Sequence, residues 1–188
     1  MKPSIATTIF DRIEREVWIV TAEHVGRRSG LAATFVSPAS IVPEMPRLIA
    51  GFAKTHETWK LIEASGAFAA HLVDESQLEL MWRFGLQTSR DADKFAGLQM
   101  TTAATGSPIL LDAFAWLDCR VETRLDTGDR TIYVAAVVEA GLLRDARPLN
   151  LPRLLKLAPP EKRDLLRSQL AADALHDTAA IARWRAAR

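Results

Sequence analysis

The apolar positions first gather at Glu16-Val17-Trp18-Ile19-Val20-Thr21-Ala22, a β-branched and aromatic run that predicts a strand. The polar group over 23–30 predicts a turn, with Gly26 and Gly30 supplying backbone freedom. Leu31 to Val36 predicts a second strand of mostly small residues. Arg47 to Ala53 predicts a third, after Pro43 and Pro46. The spacing then turns helical: Trp59, Leu61, Ile62 and Ala64 follow a cap at Thr55 or His56, and Gly66 is the expected stop. Phe68 to Val73 predicts a fourth strand. Asp74-Glu75-Ser76 starts a second helix through Leu78, Leu80, Met81 and Phe84, and residues 91–98 predict a short helical turn. Strands resume near Ile109. Phe114 to Glu122 alternates as a half-buried strand, Thr127-Gly128-Asp129-Arg130 forms a hairpin turn, and Thr131 to Val138 returns. An antiparallel sheet with two inserted helices predicts a small, mainly β barrel.

The tail differs. From Pro148 to Arg188 there is no strand pattern. Pro159-Pro160-Glu161 reads as a helix start. Leu166, Leu170 and Ala174 share one stripe, and Asp177 is expected to cap a last helix carrying Ile181 and Trp184. The expected organisation is a barrel over 1–147 and a helical C-terminal extension over 148–188.

Composition narrows the function classes. Of 188 residues, 48% are hydrophobic and 25% charged, as in a soluble globular chain. With 24 basic against 23 acidic side chains there is no global pull toward nucleic acid or an anionic membrane, so any anion site must be local. Cys119 is the sole cysteine, which forbids an intrachain disulfide and fits a reducing compartment. Met1 to Glu16 lacks the pattern of a secretory signal, and no apolar run reaches the roughly 20 residues of a membrane span. The expected location is cytoplasmic. His24, His56, His71 and His176 lack metal-ligand spacing, so no metal is expected.

Two segments carry candidate chemistry. Leu31 to Ser40 combines small side chains, hydroxyls and a strand exit, which would let a flat ligand lie against hydrogen-bonding backbone. A packed strand pair ending in a Ser-Pro turn explains the same residues. Ala53-Lys54-Thr55-His56-Glu57-Thr58 places a lysine and hydroxyls at a helix start, where backbone N–H groups and the dipole favour a phosphate. A plain helix cap beside a solvated lysine is the alternative. Lying on consecutive predicted strands, both segments can border one groove.

In order along the chain, these pieces resemble the flavin reductase-like, FMN-binding split-barrel domains. Trp18 to Ala22 looks like the opening strand. Gly30 to Phe35, with Ser40 and Pro43, looks like the flavin-contacting strand and turn. Ala53-Lys54 with Thr58-Trp59 resembles the phosphate side. Glu63 to Phe68, Arg83-Phe84, Asp93-Lys94-Phe95, Gly106-Ser107-Pro108, Asp118 to Val121 and Gly128-Asp129 complete the series. The resemblance implies a Greek-key, antiparallel split barrel that forms a homodimer and binds FMN, or FAD, near the subunit interface. Ala33, Thr34, Phe35, Ser37 and Ser40 would face the ring and ribityl chain. Ala53, Lys54, Thr55 and Thr58 would hold the phosphate side, and Arg83 would border the pocket. Members using NAD(P)H commonly carry His directly after the Gly-Asp of the last hairpin; here Arg130 stands there, and two residues are added around Glu44-Met45.

The implied activity is NAD(P)H-dependent flavin reduction, with hydride passing to the flavin N5. It needs no side-chain acid or base, so no catalytic residue is named. Two alternatives remain open at this point: an FMN module reduced by a redox partner protein, and a dimeric interaction protein with an empty barrel.

Overall fold

The computed structural model describes residues 4–87 and 93–188. Strands β1 (Trp18–His24), β2 (Arg27–Ala33), β3 (Val36–Pro38), β4 (Arg47–Ala53), β5 (Ala67–Leu72), β8 (Ala115–Asp126) and β9 (Arg130–Leu142) form one antiparallel sheet in the order β2-β1-β5-β8-β9-β4-β3. Strands β6 (Met100–Thr102) and β7 (Pro108–Leu110) pair separately. The helices are α1 (Ile5–Phe10), α2 (Glu57–Ser65), α3 (Leu78–Leu86), α4 (Leu151–Leu157) and α5 (Pro160–Ala186). The expected third strand and first helix fall where the pattern placed them.

The expected second strand over 31–36 is instead divided. β2 ends at Ala33, and Thr34-Phe35 turns the chain across to β3. β2 and β3 are the two outer strands of the sheet, so this link joins one edge to the other. A link of two residues between the edge strands requires the sheet to curl, and the Gly51 N–H, donating to the Phe35 carbonyl at 2.8 Å, extends the β3–β4 pairing up to that link. The two candidate segments therefore meet through curling, since β2 and β4 are not hydrogen-bonded neighbours.

Alternation along β1 builds two cores. Trp18, Val20 and Ala22 face inward with Phe52, Phe68 and Tyr133. Val17 and Ile19 face outward onto Met81, Phe84, Leu110, Leu149 and Leu154. Between strands lies His71, fully buried. Its Nδ1 donates to the Ile19 carbonyl at 3.0 Å, and its Nε2 accepts the Leu110 N–H at 3.0 Å. Burial pushes this imidazole down to about 4, against the opposing pull of the Ile19 carbonyl.

Gly26, at φ +74°, supplies the expected turn freedom, whereas Gly30 sits inside β2 for a different reason. A Cβ at Gly30 would lie 2.5 Å from Phe84 Cε1. Because Phe84 is locked in the outer core, Gly30→Ala is expected to destabilise the fold by about 2 kcal/mol through overpacking. Thermal unfolding should show a Tm lower by roughly 5 °C; an unchanged Tm would contradict the close approach.

The tail is also differently built. A single 27-residue helix, α5, replaces the two expected, and Asp177 lies inside it rather than at a cap. Asn150, by contrast, does cap α4, accepting the Arg153 N–H at 2.9 Å.

Candidate functional site

Where the sheet edges meet, the ends of β2 and β4 and the start of α2 border a cleft that α5 crosses. The cleft holds two cavities. The larger, about 810 Å³, is lined by 29–32 of β2, 54–58, Phe84, Lys94, Gln169 and Asp173. The smaller, about 360 Å³, is lined by 31–35, 51–53, Arg130, Leu170, Ala174 and Asp177. Leu31, Ala32, His56 and Asp173 border both.

Of the residues singled out in the sequence, Ala33, Thr34, Phe35 and Ala53 line the smaller cavity, and Lys54, Thr55 and Thr58 the larger. Three lie outside both linings. Ser37 is exposed on β3. Ser40 Oγ accepts the Val42 N–H at 3.1 Å. The Arg83 guanidinium donates to the Ala96 carbonyl at 2.9 Å, while its neighbour Phe84 forms cavity wall.

The larger cavity is suited to an anion. His56 is the N-cap of α2 but makes no side-chain cap hydrogen bond, so the first amides of that helix are not capped by it. The hydroxyls of Thr58 and Ser29 sit 2.9 Å apart. Glu57, although close, is turned onto Arg27 at 2.6 Å and Lys60 at 3.0 Å. Lys54 donates to Asp126 at 2.6 Å, and this lysine with the Gly128 N–H holds the Asp126 carboxyl below its usual range.

Lys94 is the most telling group. It is 5% exposed, and its Nζ donates to the carbonyls of Gly30 at 2.9 Å and Phe84 at 3.1 Å. Burial lowers it to about 8. Among the described residues these two neutral carbonyls are its hydrogen-bond partners, so the buried ammonium at the cavity wall retains one donor and its charge for an anionic ligand. Nothing periodic marks Lys94 in the sequence; it stands beyond α3 and reaches β2 only in three dimensions. The nearby His56 is also lowered, by burial first, with Asp173 opposing and Lys94 and Arg130 reinforcing.

The smaller cavity is lined by small side chains and by the aromatic Phe35. Phe35 lies between two guanidiniums, Arg130 at 4.9 Å and Arg15 at 5.5 Å from the ring centroid. Gly51 keeps its floor low: a Cβ there would lie 2.9 Å from Ile132 Cδ1. A flat bed with small side chains, joined to a cavity carrying a buried cation and an uncapped helix start, fits a planar ring linked to a phosphate.

Among the described residues no group of three or more His, Cys, Asp or Glu side chains could hold a metal ion. Cys119 is wholly buried, its Sγ 3.6 Å from the Leu117 carbonyl, and burial, reinforced by Asp118, pushes the thiol far up. No described helix is long and apolar enough to cross a membrane.

The model of the flavin reductase like domain matches residues 10–153. The chain is 34% identical over 142 residues to the reductase subunit of a flavin-dependent monooxygenase from Rhodococcus jostii, covering 76% of this chain and 70% of that one. It is 31% identical over 143 residues to a ferric-chelate reductase (NAD(P)H) from Archaeoglobus fulgidus, covering 75% and 83%. Among solved structures, a homologue of nitrilotriacetate monooxygenase component B from Mycobacterium thermoresistibile superposes with a TM-score of 0.66 at 32% identity, covering 78% and 82%.

Proposed function

The chain belongs to the flavin reductase-like domain family, and from that premise we propose that its cleft holds FMN and that NAD(P)H reduces it there. The chain is an oxidoreductase of the flavin-reductase type with a split-barrel fold. The observation that carries the FMN reading is the buried Lys94, held among the described residues by the Gly30 and Phe84 carbonyls, beside the start of α2 that His56 leaves without a side-chain cap.

Lys94, Thr58 and the first amides of α2 bind the phosphate. Lys54 reaches the same group by releasing Asp126, whose exposed carboxylate water resolvates. Ala33, Thr34 and Phe35 form the bed for the ring, and Ala53 closes its edge. His56, kept neutral by burial, adds no charge to repel a cationic nicotinamide. Bound FMN supplies a ring that takes a hydride at N5 and passes the electrons on. A single buried lysine favours a monophosphate over FAD.

Exposed apolar side chains at Ile41, Met45, Ile49 and Val138 support a homodimer through the β3–β4 loop and the outer face of β4 and β9. Residues 148–188 form an extension of the barrel rather than an independent unit, since Leu149 and Leu154 join the outer core. The reduced flavin is handed to a partner component, as the relatives named as reductase subunits suggest.

The test is a titration of apo-protein with FMN and FAD, followed by anaerobic NADH or NADPH. Saturable binding of FMN and bleaching of its visible absorbance are expected. Failure with both donors and both flavins would overturn the reading.

A further inference from the structure

Helix α5 begins beyond the residues matched by the family model, yet it crosses the cleft. The side chains it turns toward the barrel recur every three or four residues: Lys162, Leu166, Gln169, Asp173, Asp177, Ala180 and Trp184. Over the cleft this face is mixed, with Gln169, Asp173 and Asp177 beside Leu170 and Ala174, and Leu170 stays largely exposed. A helix docked as core would carry a continuous apolar stripe. Among its described residues only Ala180 is buried.

Its attachments are correspondingly few and local. At one end Leu166 packs on the outer core, and Gln169 Nε2 donates to the Leu86 carbonyl at 3.2 Å. At the other, Trp184 and Ala180 rest on the β8–β9 turn. Gly128 there has φ +94°, and a Cβ on it would lie 2.6 Å from Trp184 Cβ. Between them stands one strong contact over the cleft, Arg130 Nη2 to Asp177 at 2.8 Å. Arg130 also holds its neighbour Asp129 at 2.5 Å and lies over Phe35. Arg130 and Lys94 make the cleft cationic, and Asp173 and Asp177 are the carboxylates that α5 sets against it.

We propose that α5 is a lid over the flavin cleft and that Arg130 is its latch: Asp177 occupies the guanidinium until an anionic group of the incoming dinucleotide replaces it. The proposal rests on the flavin-reductase reading above. α5 lies over the open side of the ring bed formed by Ala33 to Phe35, so a second planar ring reaches that bed only when α5 moves off. Point attachment makes such opening local, since no continuous apolar face has to be broken. Arg130 is then a specificity-determining residue, choosing nucleotides whose phosphates reach the vacated position of Asp177.

The experiment uses the full chain loaded with FMN, with NADP+ as a non-reducing probe. Hydrogen exchange of peptides spanning 169–184 is read alongside NADP+ affinity. In the wild type, NADP+ should speed exchange of those peptides. D177N should exchange faster at rest and bind NADP+ roughly fivefold more tightly, because a larger fraction is already open. D173N removes the same charge without touching Arg130 and should change affinity less than twofold. R130A should weaken NADP+ binding in both the wild-type and D177N backgrounds. NADP+ binding with α5 exchange unchanged or slowed would overturn the lid, as would equal effects of D173N and D177N. If FMN binds neither the wild type nor D177N, the flavin reading itself fails and the lid falls with it. If FMN and NADP+ bind and α5 stays still, only the lid fails.

Discussion

Lys94→Met should weaken FMN binding about 100-fold while leaving a folded protein, since a charged hydrogen bond from a desolvated ammonium to phosphate is worth on the order of 2–3 kcal/mol. Methionine keeps the length of the lysine stem against Phe84, and removing the charge relieves the desolvation that lowers this group. Two carbonyls, of Gly30 and Phe84, lose a donor, so net stability should shift by less than about 2 kcal/mol. The pH dependence gives an internal check. A lysine lowered to about 8 is charged below that pH and neutral above it. Wild-type FMN affinity should therefore fall as pH rises through 8, and the K94M protein should show no such step. Quenching of FMN fluorescence measures both. A variant within threefold of wild type at pH 7 would remove Lys94 from the phosphate site.

Acid should destabilise the fold through His71 by about 3 kcal/mol, a figure that follows from a shift from 6.5 to about 4 at 1.36 kcal/mol per unit. Between those values the unfolded chain takes a proton that the folded one refuses. The stability is complete above 6.5 and is lost as pH falls toward 4. His56 is shifted in the same direction and adds to this window. Paired carboxyls such as Asp74, beside Arg144, are lowered and act only below the usual carboxylate range. Urea midpoints across pH 4–7 test it. His71→Gln retains a donor for Ile19 and an acceptor for Leu110 but cannot titrate, so its profile should be flatter by that amount. An equally steep profile would rule His71 out as the acid-sensitive group.

What the sequence disclosed, and what it hid, follow from the range of the forces involved. β4 and α2 are written in local alternation and capping, so Arg47–Ala53 and Glu57–Ser65 appear where the pattern puts them. The break at Thr34-Phe35 is not local. It arises because the chain must pass from one sheet edge to the other, and a run of small residues reads as strand on either side of it. Thr34, Lys54 and Thr58 drew notice because hydroxyls and a lysine at a strand exit and a helix start carry a recognisable chemistry, and the structure sets them in the walls of the two cavities. Lys94 stood out only as part of the Asp93-Lys94-Phe95 piece, with no role, since its burial against Gly30 and Phe84 is not written locally. Asp177 was read as a cap because an acid before an apolar pair looks like a helix start. In the structure it sits in mid-helix, facing Arg130 across the cleft.

The burial of Cys119 has a practical consequence for following α5. With its one native thiol turned from β8 into the inner core and held protonated, the folded chain behaves toward thiol reagents as a cysteine-free background. A reporter dye placed on a cysteine introduced at exposed Leu175 would then report from that helix alone, without first rebuilding the barrel to remove competing sulfur.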